Sequence, residues 1–272
     1  MPAWLRPSLL LAALIAALAA YEPSRREAVH LGRQGLDLFD ARPSQSVLII
    51  GNSRTYFHDM PDMVRAIADS AHAPVRYAIT PKAWAGASFE QAWNSADVRR
   101  LLTRHWDHVV LQSESWAAGT PDNEAGFFTY GQELLSAANA SRSPAAVIVN
   151  WGYGEELFHG TAPHPRADFI DRTEADTRRL AGDEGAGTID TSAVWEDVRA
   201  SDPQMPLYED GNHPTVYGSY LSALMIYGFV SGADVTQVTW RPAGVDEASA
   251  REIRRIVAAH YASDPPPAAA IR

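Results

Sequence analysis

The chain has 272 residues, no cysteine and a formal net charge of -10, with a sequence pI near 5.3. The acidic balance and the lack of any Lys/Arg run argue against a nucleic-acid binder, because phosphate recognition needs a clustered positive surface. Without cysteine, disulfides, thiolate metal sites and cysteine nucleophiles are excluded. The length suits one large core, and no obvious linker divides it.

Residues 1–20 read as an export signal. Arg6 gives a positive start, Leu9 to Leu18 is almost wholly Leu, Ala and Ile, and Ala17-Leu18-Ala19 fits a small-x-small cleavage pattern. The run falls short of the about 20 residues a membrane span needs. A periplasmic or secreted protein is therefore expected, with an uncleaved N-terminal anchor as the alternative. Residues 21–45 are polar and mixed, and read as a lead-in.

The folded region is expected over 46–262. Val47 to Ile50 is a continuous apolar run, the mark of a strand buried on both faces. Gly51-Asn52-Ser53 ends it with small, turn-forming residues, and a helix follows over about 60–71. Further strands are expected at 75–80, bounded by Pro74 and Pro81, and at 109–112, 145–150 and 187–191. Helices are expected at about 89–103, 127–140 and 167–181 between them, then at 217–230 and 245–262. This alternation predicts an α/β, doubly wound parallel sheet of about five strands with helices on both faces. The tail 263–272 is rich in Pro and Ala and is expected to be disordered.

Two places carry candidate chemistry. Ser53 falls at the carboxyl end of the first strand, where open α/β sheets bind ligands and where free N–H groups can stabilise a developing anion. By itself Gly-Asn-Ser is a weak signal, since such a serine often only caps a helix. Asp210 and His213, in Asp210-Gly211-Asn212-His213-Pro214, are an acid and an imidazole three residues apart on one loop. The carboxylate can hold the ring so that its second nitrogen accepts a serine proton. Alone, this segment reads more readily as an ordinary Asp-Gly-Asn turn.

Together, Gly51-Asn52-Ser53 near one end and Asp210-Gly211-Asn212-His213 near the other resemble the SGNH (GDSL-like) hydrolase superfamily from Val47 to about Gly232. The resemblance implies a flavodoxin-like fold, a serine nucleophile with an Asp–His pair, and an oxyanion hole. It places Ser53 and Gly86 in that hole as N–H donors. The family's asparagine after strand three is missing, because Leu111-Gln112-Ser113-Glu114 stands there. Gln112 carries the same carboxamide one methylene longer and is the expected third donor. The chain thus looks like a subgroup with glutamine at this position.

Asn150, Trp151, Tyr153 and Glu114 lie at strand ends and are candidates for substrate binding, with packing as the competing role. Arg54 and His58 flank the serine; solvated surface roles are the favoured reading for both, with substrate contact as the alternative. His159 and His164 lack acidic partners at metal-ligand spacing, so neither a metal nor a cofactor is expected. The expected function is an exported serine esterase acting on acetyl or short acyl esters of a small molecule or glycan. A non-catalytic glycan binder and an acyltransferase using the same residues are the alternatives.

Overall fold

The computed structural model describes residues 41–158 and 166–267. The expected export signal, residues 21–40 of the lead-in, His159, His164 and residues 268–272 of the tail lie outside them. From Ser44 onward, five parallel strands form one sheet: β1 (Ser44–Gly51), β2 (Arg76–Ala83), β3 (His108–Leu111), β4 (Ala145–Ile148) and β5 (Gly187–Ile189). Their spatial order is β2-β1-β3-β4-β5, the flavodoxin-like order. The order reverses between β1 and β3, and the crevice outside the carboxyl ends of those two strands is where such sheets bind ligands.

The side chains of β1 alternate between two cores. Val47 and Ile49 enter one, packed with α1 (Met60–Ser70), α6 (Thr191–Ser201), α7 (Val216–Ser231) and α8 (Glu247–Ser263). Leu48 and Ile50 enter the other, packed with α2 (Phe89–Asn94), α3 (Ala96–Leu102), α4 (Pro121–Ala140) and α5 (Arg166–Asp183). A strand filled on both faces must be apolar at every position, which accounts for the unbroken run. Truncating Ile50 to Ala should therefore cost about 2–5 kcal/mol. Helix α7 is buried at every position from Gly218 to Val230, so it has no polar face, and it ends at Gly232, whose φ of 62° suits a C-terminal glycine.

Several elements differ from expectation, among them α4, which begins at Pro121 rather than at about 127. β2 runs through Pro81 to Ala83, because it is an edge strand and proline need not donate on its open side. The expected helix over 89–103 breaks at Ser95, whose ψ of 118° ends α2 while its hydroxyl accepts from Val98 N and caps α3. Helix α6 has no counterpart in the expectation; Asp190 caps it by accepting from Ala193 N.

Candidate active site

Ser53 opens a single helical turn, Ser53–Tyr56, directly beyond β1. Asn52 caps that turn, its Oδ1 accepting from Arg54 N at 3.1 Å. Its Nδ2 donates to Ala87 O at 3.3 Å and to Ser113 O at 3.0 Å, which ties the turn to the loops after β2 and β3. Gly51 must lack a side chain, because a Cβ would run into Thr55 Oγ1. That hydroxyl donates to Gln112 Oε1 at 2.8 Å.

The loop before α7 folds around Asp210. Its Oδ1 accepts from Asn212 N at 3.0 Å and from His213 N at 2.7 Å, and Gly211 supplies the positive φ of 77° that the turn needs. Its Oδ2 accepts from His213 Nδ1 at 2.7 Å. With Nδ1 protonated, Nε2 is the ring's acceptor, and Ser53 Oγ donates to it at 3.0 Å. Partial burial pushes the Asp210 carboxyl up, but the His213 and Asn212 donors outweigh it and hold the group down at about 2. Phe57 lies flat against the His213 ring.

Two backbone N–H groups in this region are unpartnered. Neither Ser53 N nor Gly86 N has a hydrogen-bond partner among the described residues. Gly86 has φ 65°, and no atom lies within 4 Å of where its Cβ would be, so it borders open space. Its neighbour Ala87 is bonded to Asn52, next to Ser53. A donor pair of this kind can hold an oxyanion, and the Ser53–His213–Asp210 relay can move a proton off a hydroxyl.

Gln112 does not fit its expected role. Its Nε2 donates to Ser113 O at 2.6 Å and Asn150 Oδ1 at 2.9 Å, and its Oε1 also accepts from Asn52 N at 3.2 Å. A buried carboxamide with both hydrogens committed has none left for an oxyanion. It forms the floor beneath the turn instead.

Of the expected substrate-binding residues, Asn150, Trp151 and Tyr153 are corrected as well. Asn150 is buried, giving Nδ2 to Ser113 O and Ser113 Oγ, and belongs to the same floor. Trp151 is buried and stacked on Trp195, with centroids 4.3 Å apart and planes 4° from parallel. Tyr153 is buried with one face on Trp116, and burial pushes its hydroxyl up to about 12. Glu114 is half-buried and braces the Gly86 loop by accepting from Phe89 N at 3.3 Å; burial raises its carboxyl above the usual range. Arg54 is not solvated but buried, with 2% of its surface exposed. His58 faces the rim, where Nε2 lies 3.0 Å from Glu209 Oε1. Among the described residues no group of three or more His, Asp or Glu side chains can hold a metal ion.

Sheet order, helices on both faces and a serine beyond β1 define an SGNH hydrolase fold. Solved structures share it. A protein assigned as an SGNH hydrolase from Slackia heliotrinireducens is 26% identical, with 68% of this chain and 97% of that chain covered and a TM-score of 0.55. A DUF4886 family protein from Bacteroides uniformis is 14% identical over 82% of this chain and 96% of its own, with a TM-score of 0.67. The acetylxylan esterase Axe2 of Geobacillus stearothermophilus is 14% identical over 68% and 93%, with a TM-score of 0.52. No family model matches the chain, and no curated protein does.

Proposed function

We propose that this protein is an exported serine esterase that removes acetyl or other short acyl groups, with acylated carbohydrate as its substrate class. The observation that carries the reading is the unbroken relay from Ser53 Oγ through His213 to Asp210, at 3.0 and 2.7 Å. Ser53 attacks the ester carbonyl as His213 Nε2 takes its proton. The carbonyl oxygen becomes an oxyanion held by Ser53 N–H and Gly86 N–H. His213 then returns the proton to the departing alcohol. Water repeats the cycle on the acyl-enzyme, and Asp210 keeps the imidazole oriented and stabilises its protonated form.

Export rests on the composition of residues 1–20; among the described residues no helix is long and apolar enough to cross a membrane. The carbohydrate substrate is drawn from the acetylxylan esterases that share the fold. A hydrolysis panel of acetyl, butyryl and long-chain esters plus acetylated glycans tests the proposal. Turnover of acetyl and butyryl esters that Ser53→Ala abolishes supports it. Glycan binding without turnover points to a non-catalytic binder.

A further inference from the structure

We infer that Arg54 is a positioning residue of this site: its guanidinium clamps the loop carrying Asp210 and His213 onto the turn carrying Ser53. The inference rests on the serine-esterase reading above. Arg54 follows the serine directly, yet its side chain runs inward and is buried. Nε and Nη2 both donate to Asn212 Oδ1, at 3.1 and 2.9 Å, and Nη1 donates to Trp151 O at 2.8 Å. Asn212 is the residue between Gly211 and His213, and its own N–H bonds Asp210 Oδ1. Its carbonyl accepts from Trp151 Nε1 at 3.2 Å, so Arg54 and Trp151 grip it from two sides. The ends of β1 and β4 and the acid–base loop thus meet at one planar group.

The energetics say why an arginine is there. No carboxylate lies within ion-pair distance of Arg54 among the described residues; its acceptors are a carboxamide and a carbonyl. A buried cation with only neutral acceptors is a poor way to stabilise a fold, since an apolar side chain of similar volume avoids the desolvation cost. Burial does pull its pKa down, but only to about 10, so the group stays charged at neutral pH. Geometry is what the guanidinium supplies. Its fork reaches one oxygen with two N–H groups and a second with a third, while its face packs 4.5 Å from the Trp151 ring centroid and 5.0 Å from that of Tyr153. Lysine, a point charge on a flexible stem, cannot reproduce this. Backbone bonds also hold this loop, Gly154 N–H to Gly211 O at 2.7 Å and Glu209 N–H to His213 O at 3.0 Å. Among the described residues, though, only Arg54 and Trp151 reach Asn212 from beneath the site, and the Asp210 side chain is 54% exposed. A 1 Å shift of a catalytic group can cost about 10²-fold in rate.

The test is a set of variants assayed on a short acyl ester, with thermal unfolding followed in parallel: Arg54→Lys, Arg54→Met, Asn212→Ala and the Arg54→Met/Asn212→Ala pair. We expect each single variant to lose kcat by on the order of 10²-fold, Arg54→Lys included, while KM stays within about threefold. The double variant should be no worse than the worse single, because the two residues act as one unit. If neither Arg54 variant folds, Asn212→Ala carries the comparison, since it cuts the clamp at its half-exposed end. Wild-type kcat in any of the folded variants overturns the inference. So does a loss confined to KM, or losses that multiply in the double variant. A wild-type protein that turns over no ester overturns the underlying esterase reading instead, which the Ser53→Ala control reports separately.

Discussion

Phe57 lies flat on the imidazole of His213, with ring centroids 4.5 Å apart and planes 11° from parallel. Phe57 follows the helical turn that Ser53 opens, so one short segment carries both the hydroxyl and a wall for the base. The stack fixes the plane in which Nδ1 meets Asp210 and Nε2 meets Ser53. An aromatic pair is worth about 0.5–1.5 kcal/mol beyond its buried area. Phe57→Leu should therefore lower kcat by roughly two- to tenfold, with KM for a small ester nearly unchanged. Steady-state kinetics at neutral pH checks this, and an unaltered kcat removes Phe57 from the account.

The pH profile follows from the relay. A protonated His213 has no lone pair at Nε2 to accept the Ser53 proton, so kcat should fall as the medium becomes acidic. Asp210, held at about 2, is ionised above about pH 4 and adds no inflection there. Because its folded pKa lies below its unfolded value, Asp210 stabilises the fold above that value and loses the contribution as pH drops toward 2. The side chain is largely exposed, so the effect on stability is small. A pH titration of kcat should thus show acid loss while the near-UV circular dichroism is still native. Simultaneous loss of both signals contradicts the assignment.

Gln112→Ala should act on stability before chemistry. It strands Asn52 N, Thr55 Oγ1, Asn150 Oδ1 and one bond to Ser113 O beneath the turn. Each buried group left unsatisfied costs about 1–3 kcal/mol. Tm should fall by at least about 6 °C, since three such groups cost about 3 kcal/mol or more and each kcal/mol shifts Tm by about 2–4 °C at this size. The kcat of the folded fraction should fall far less than the about 10²-fold expected for loss of an oxyanion donor. A stable variant with that large kcat loss restores Gln112 to the oxyanion hole.

Much of the fold was legible because its signals are local. The apolar run of β1, the turn after it and the Asp-Gly-Asn-His loop are each read within ten residues. Helix α6 was also readable in principle, from Val194, Trp195 and Val198 at helical spacing. Orientation was not. Trp151 and Tyr153 have the composition of a binding surface, but residue type does not say which side of a strand end a ring takes. Gln112 was placed correctly along the chain, yet only its partners across the sheet show that both amide hydrogens are used. Arg54 misled most, because a charged residue beside a turn reads as solvated. Its partner, Asn212, is 158 positions away.

The central claim is that Ser53 is a nucleophile activated by His213. Labelling with a serine-directed fluorophosphonate, mapped by peptide mass spectrometry, tests it most directly. The folded wild-type protein should carry one label on Ser53, His213→Ala should react far more slowly, and Ser53→Ala or heat-denatured protein should take none. Folded wild-type protein that stays unlabelled, or label that persists elsewhere in Ser53→Ala, contradicts the account.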